Sequence, residues 1–302
     1  MRRALLIAIV SGAVLMSAGC TAGTPAATSP VAGPATSAAA AAPSVMASPG
    51  TTVTGVPRFR HVVVVVEENH GTAEAMRMRY LAELRRTGAV FPQSHGVAHP
   101  SEPNYLALWS GSTQGVHSDA CPIDLGSTPS LGSQLLAAGQ TVAGYAQGLP
   151  SAGSTVCSSG AYARKHDPLA DFSATAGAAH DLPFSDFPSD YDRLPSVAFV
   201  APDLDHDAHD GTLAAADDWL RSNLGGYATW AVTHDSLLIV TFDEEEGGAA
   251  GNRILTVFSG AHVRPGTYSE RIDHVNVLHT IESSFGLAQL GSAAAPITDV
   301  WQ

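Results

Sequence analysis

Two apolar runs in this chain end on acids: HVVVVVEEN, His61 to Asn69, and LLIVTFDEE, Leu237 to Glu245. Carboxylates delivered to the ends of two strands repel one another unless a cation lies between them, so the pattern predicts a divalent metal site. Between the runs lies HPSEPNYLALWSG, His99 to Gly111, in which Ser101 stands just before Pro103 and the apolar stretch Tyr105 to Trp109, at a predicted helix start. A serine there has two readings. It caps the helix, or it attacks phosphorus in an anion held by the free N–H groups and the positive end of the helix dipole. Two histidine loops follow, YARKHDPL with His166 and APDLDHDAHDGT with His206 and His209. Imidazoles bind metals, or as cations they neutralise a phosphoryl oxygen and protonate a leaving group. His117, His180, His234 and His262 lie outside these clusters and are read as idle.

These residues need rigid elements to hold them. Five β-branched valines in a row with no polar alternation predict a strand covered on both faces, as in the middle of a parallel sheet. Further strands are predicted at Ala89 to Phe91, Thr141 to Tyr145, Ser196 to Val200, Leu237 to Phe242 and Ile254 to Phe258. Helices are predicted over Ala73 to Arg86, Leu131 to Ala138, Thr212 to Leu224 and His274 to Phe285. Strands alternating with helices give an α/β three-layer sandwich with a mainly parallel central sheet. Gly148 to Asp192, rich in Ser, Gly, Pro and Asp, is expected to be a functional insertion over that scaffold.

The first twenty residues carry two arginines, an apolar stretch and small residues before Cys20, the pattern of an export signal over 1–20. Ser17-Ala18-Gly19-Cys20 resembles a bacterial lipobox, so lipidation of Cys20 is expected and contact with a membrane only through that anchor. Residues 21–54 are almost wholly Ala, Pro, Ser, Thr and Gly, a linker too poor in large apolar residues to pack a core. Residues 55–302 then form one catalytic domain. In an oxidising compartment the remaining pair, Cys121 and Cys157, is expected to form a disulfide. A formal charge of −13 without a basic run argues against a nucleic-acid partner.

In order along the chain, VVVVVEEN, HPSEPNYLALWSG, RKHDP, PDLDHDAHDG, TFDEEEGG and DHVNVLHTIESSFGL resemble the motifs of the phosphoesterase family that holds secreted acid phosphatases and bacterial phospholipases C, within the alkaline-phosphatase-like superfamily. The resemblance implies that Glu68, Asn69, Ser101, Asp243 and Glu244 hold the metal, with Ser101 also the nucleophile. It implies that His166 and His209 surround the phosphate, and Asn69 and Asn104 are expected to bind substrate. Phospholipases C of the group continue Glu-Asn-Arg-Ser-Phe-Asp, whereas here His70-Gly71-Thr72 follows Asn69, which favours the phosphatase branch. The expected activity is a metal-dependent phosphomonoesterase acting on a small phosphorylated substrate through a phosphoserine. A phosphodiesterase or phospholipase C on the same site, and a non-catalytic metal- or phosphate-binding lipoprotein, are the alternatives. Oxygen ligands favour Mg, Ca or Mn, and the neighbouring histidines leave Zn or Fe open.

Overall fold

None of the five valines faces water, because each side of the strand they form is covered by a helical layer. Val62, Val64 and Val66 pack with Leu106, Trp109 and Leu278, while Val63 and Val65 pack with Leu81, Leu220 and Tyr227. Alternation along a strand sends neighbours to opposite faces, so an unbroken apolar run serves two cores at once. The computed structural model describes residues 55–246 and 251–302. The expected export signal, the linker and Cys20 lie outside the described residues.

In chain order the elements are β1 (His61–Glu67), α1 (Thr72–Ala75), α2 (Arg79–Thr87), β2 (Ala89–His95), α3 (Glu102–Ser110), α4 (Leu131–Ala137), β3 (Val142–Ala146), the short strands β4 (Ser158–Ser159), β5 (Tyr162–Ala163) and β6 (Asp181–Pro183), β7 (Val197–Ala201), α5 (Leu213–Ala231), β8 (Ser236–Phe242), β9 (Arg253–Gly260), β10 (Gly266–Thr267), β11 (Ile272–Asp273) and α6 (His274–Phe285). The main sheet runs β10-β2-β9-β8-β1-β7-β3-β6, with β11 also on β2. Strand β1 pairs in parallel with both β7 and β8, and β9 is antiparallel to its neighbours β8 and β2. Helices α3, α4 and α6 cover one face, and α2 and α5 cover the other. This is the expected three-layer α/β sandwich.

The helix expected over Ala73 to Arg86 is two helices. Buried Asp217, on α5, accepts from Tyr80 N–H at 2.8 Å and Leu81 N–H at 3.0 Å, so a side chain from a distant helix starts α2 and lets the chain bend at Met78. Helix α5 runs past the expected stop at Leu224 and through Gly225-Gly226. A Cβ on Gly226 would lie 2.5 Å from Tyr191 Oη, so the glycine admits a close neighbour and does not end the helix. The insertion carries only short strands and 3-10 turns, and the expected Cys121–Cys157 bridge ties it to the loop after α3, with a Cα–Cα distance of 5.8 Å. Among the described residues no helix is long and apolar enough to cross a membrane.

Candidate active site

The pairing of β1 with β8 sets Glu67 opposite Phe242, so Glu68 and Asp243 leave the sheet side by side. Asp243 N–H donates to Glu67 O at 3.0 Å and Asn69 N–H to Asp243 Oδ1 at 2.9 Å. Asn69 sits at φ 62, a left-handed conformation that Asn tolerates better than most residues. The two glutamates part company. Glu67 has neither carboxylate oxygen partnered, and burial, then the charges of Asp207 and Asp217, push its pKa well up. Glu68 organises the site instead: Oε2 accepts from Ser101 Oγ at 2.9 Å, and Oε1 accepts from the Tyr105 hydroxyl at 2.5 Å.

Ser101 is not a helix cap, since its hydroxyl makes no bond to the first turn of α3. That turn is served by Asp119, whose Oδ1 accepts from Glu102 N–H at 3.0 Å. Ser101 Oγ is therefore left to Glu68 and, at 3.4 Å, to Glu244 Oε1. Glu244 is paired with His99 Nδ1. The loop that presents Ser101 is tied by Asn104, which accepts from Val97 N–H and Ala98 N–H and donates to Ala98 O and Pro100 O. With its amide committed on all four sides, Asn104 holds the Ser101 loop and has no hydrogen-bonding position left over for the substrate contact expected of it.

His166 is enclosed, 2% exposed, with Nε2 at 3.2 Å from Glu68 Oε1 and Nδ1 at 3.0 Å from Asp207 Oδ2. Its ring stacks on Tyr105 at 5.1 Å and 11°. Burial, then the neighbouring Lys165 charge, hold its pKa well below the usual imidazole range. The His209 ring lies 5.6 Å away and is more open to solvent. Glu68, Asn69, Ser101, His166, His209, Asp243 and Glu244 thus converge from β1, β8, the start of α3, the insertion and the loop after β7.

The model of the phosphoesterase family matches residues 71–288. The chain belongs to the phosphoesterase family. It is 49% identical over 259 residues to the phosphatidylinositol-3-phosphatase of Mycobacterium tuberculosis, covering 83% of this chain and 86% of that one. The phosphate-repressible acid phosphatase of Penicillium chrysogenum is 28% identical, over 84% of this chain and 65% of its own length. An alkaline phosphatase superfamily protein from Vibrio parahaemolyticus shares the fold, with a TM-score of 0.57 at 12% identity over 78% of this chain and 69% of that one. As a phosphoesterase the protein is a phosphoric ester hydrolase.

The phosphoesterase site fits a divalent cation. Burial and then the Glu244 charge push Asp243 up to about 8, burial and then Asp243 and Asp207 raise Glu68 well above the usual carboxylate range, and burial outweighs His99 in raising Glu244. The lowering contributions of His99 on Glu244 and Lys165 on Glu68 do not offset this crowding, and a divalent cation would. Asp243 Oδ2 is buried with no hydrogen-bond partner. Among the described residues Glu68, His166 and His209 also offer ligand atoms within 4.8 Å of one another. His209, however, has Nε2 at 3.0 Å from Lys165 Nζ and Nδ1 at 2.8 Å from Asp210 Oδ1, so both ring nitrogens are engaged. The oxygen set of Glu68, Asn69, Ser101, Asp243 and Glu244 is the one the sequence resemblance implies, and its carboxylates are the crowded ones.

Sequence reasoning missed Tyr105, Asp119, Lys165 and Asp207 and gave His99 no partner. Lys165 and Asp207 were adjacent to or within the loops singled out for their histidines, where attention to histidine hid them. Asp119 carries no signal short of its nearness to Cys121. A second acid network stands behind Ser101: Arg164 pairs with Asp171 at 3.0 Å, and Asp167 hydrogen-bonds Asp181 and Tyr162. Burial, then the Asp167 charge, push Asp181 up to about 9. A carboxyl whose folded pKa lies above its unfolded one contributes stability that is complete below about pH 4 and is lost as pH rises through the folded value. Asp181→Asn, which keeps a donor toward Asp167 at every pH, will flatten the fall in stability between about pH 5 and 9, a slope of at most about 1.4 kcal/mol per pH unit. Urea midpoints across that range measure it, and an unchanged slope in the variant would place the dependence elsewhere.

Proposed function

We propose that this phosphoesterase is an exported, metal-dependent phosphomonoesterase in which Ser101 is the nucleophile. The observation that carries the reading is the Ser101 hydroxyl, released from capping and held between Glu68 and Glu244 at the start of α3. A divalent cation held by Glu68, Asn69, Asp243, Glu244 and Ser101 would polarise a phosphoryl oxygen and make the hydroxyl more acidic. The Ser101 proton leaves along its bond to Glu68 Oε2 as the Oγ–P bond forms and the ester P–O bond breaks. His166, stacked on Tyr105 and set between Glu68 and Asp207, keeps the inner wall of the site in place. The departing alcohol takes up a proton at the mouth of the site, which His209 lines, in place of the one given up by Ser101. Water then cleaves the phosphoserine, releasing phosphate and restoring the serine hydroxyl.

The names of the relatives support a monoester as substrate, and the mycobacterial relative's name makes phosphorylated inositol lipid the first candidate among monoesters. The export-signal pattern of residues 1–20 supports action outside the cytoplasm. The test strips metal from the purified protein with chelator, restores single divalent ions, and compares nitrophenyl phosphate with bis-nitrophenyl phosphate. Turnover is expected to vanish on stripping, to return with a hard cation, and to favour the monoester. Faster turnover of the diester would select the phospholipase C-like alternative, and no turnover of either ester with any ion would select a non-catalytic binding role.

A further inference from the structure

A line of polar side chains runs through His209 at the mouth, and its other members, Asp210, Lys165 and Asp119, have no role in the steps above. Asp210 Oδ1 lies 2.8 Å from His209 Nδ1, His209 Nε2 lies 3.0 Å from Lys165 Nζ, and Lys165 Nζ lies 3.0 Å from Asp119 Oδ2. An ammonium offers only protons, so Lys165 donates to both neighbours, and the His209 proton sits on Nδ1 toward Asp210. The line ends beside the nucleophile, because Asp119 Oδ1 accepts from Glu102 N–H at 3.0 Å, one residue past Ser101. One carboxylate therefore bridges an ammonium and a backbone N–H at the positive end of a nine-residue helix.

A phosphoryl group placed for attack by Ser101 needs such donors for its non-bridging oxygens. Asp119 holds them with two oxygens, as a phosphate would. It also adds a negative charge where Glu68, Asp243 and Glu244 already crowd, which works against an incoming dianion unless Asp119 gives way. Its side chain is 26% exposed and that of Lys165 is 18% exposed, so both border solvent. The Cys121–Cys157 bridge ties the loop of Asp119 to the insertion that bears Lys165, which keeps the two partners within reach.

Granted the phosphomonoesterase reading, on which this rests, we propose that Lys165 and the Glu102 N–H bind the phosphoryl group and that Asp119 is a built-in carboxylate competitor for them. Substrate and product phosphate both displace it. Part of their binding energy is then spent on that displacement, which weakens retention of the product.

The probe is inorganic phosphate, measured as an inhibitor of nitrophenyl phosphate hydrolysis by the purified, metal-loaded protein. Asp119→Asn keeps an acceptor for Glu102 N–H but loses the charge, and its inhibition constant for phosphate is expected to fall about tenfold, with a lower KM. Asp119→Ser, which also keeps an acceptor, should move the same way. Lys165→Gln is expected to raise the constant about tenfold or more, and Lys165→Arg to recover part of the loss. Thermal melting of each variant separates these effects from misfolding. Unchanged or weaker phosphate inhibition in both folded Asp119 variants overturns the competitor, and unchanged inhibition in Lys165→Gln overturns the binding role. Wild-type protein that turns over no phosphoester removes the phosphomonoesterase reading itself, an outcome distinct from either.

Discussion

Ser101→Ala will lower kcat on nitrophenyl phosphate by about three powers of ten or more, the scale seen when other activated nucleophiles are removed. The expectation follows from what the hydroxyl touches. Its partners are Glu68 Oε2 and Glu244 Oε1, and neither contact maintains the helix, because Asp119 caps α3 in its place. A serine that only capped the helix would cost about 1 kcal/mol of stability on removal and leave the chemistry alone. The nucleophile reading predicts the reverse, a large loss of turnover with a melting temperature close to wild type. Inorganic phosphate should still bind the variant, since its proposed donors remain. Residual kcat within tenfold of wild type would mean that water attacks directly and that Ser101 only orients it.

How far the site was legible in the sequence depended on whether its parts were local. The ends of β1 and β8 could be read because each apolar run declares its own strand and its own terminal acids, and the parallel register then brings Glu68 to Asp243. Ser101 could be placed at a helix start from Pro103 and the apolar run that follows, yet whether it capped that helix was open. What settled it was Asp119, eighteen residues away, taking the cap, a contact that no local pattern encodes. The loop-holding role of Asn104 was hidden for the same reason: its four bonds go to a loop whose path the sequence does not reveal. The break before α2 likewise depends on Asp217, from a helix more than a hundred residues later. Periodicity reports which face of an element is buried. It does not report which distant side chain satisfies an orphan N–H group.

Asp243→Asn separates the metal from the fold. The amide oxygen can still accept from Asn69 N–H as Asp243 Oδ1 does, so the turn after β8 is kept. What is lost is the charge on the buried and otherwise unpartnered Oδ2. Metal affinity is therefore expected to fall about a hundredfold or more, beyond the usual loss when only a ligand's outer hydrogen bond is cut. Turnover should fall with it and return in part at high metal concentration. The stability of the stripped proteins should move the other way. Without a cation the wild type must bury Glu68, Asp243 and Glu244 close together, and removing one of three crowded carboxylates relieves that cost. Metal-free Asp243→Asn is thus expected to melt above metal-free wild type, and metal-loaded wild type above both. Elemental analysis after dialysis, set beside melting curves, reads both signs at once. A variant that retains wild-type metal content, or that is less stable than stripped wild type, would show that Asp243 is a structural acceptor and that the cation is held by other groups.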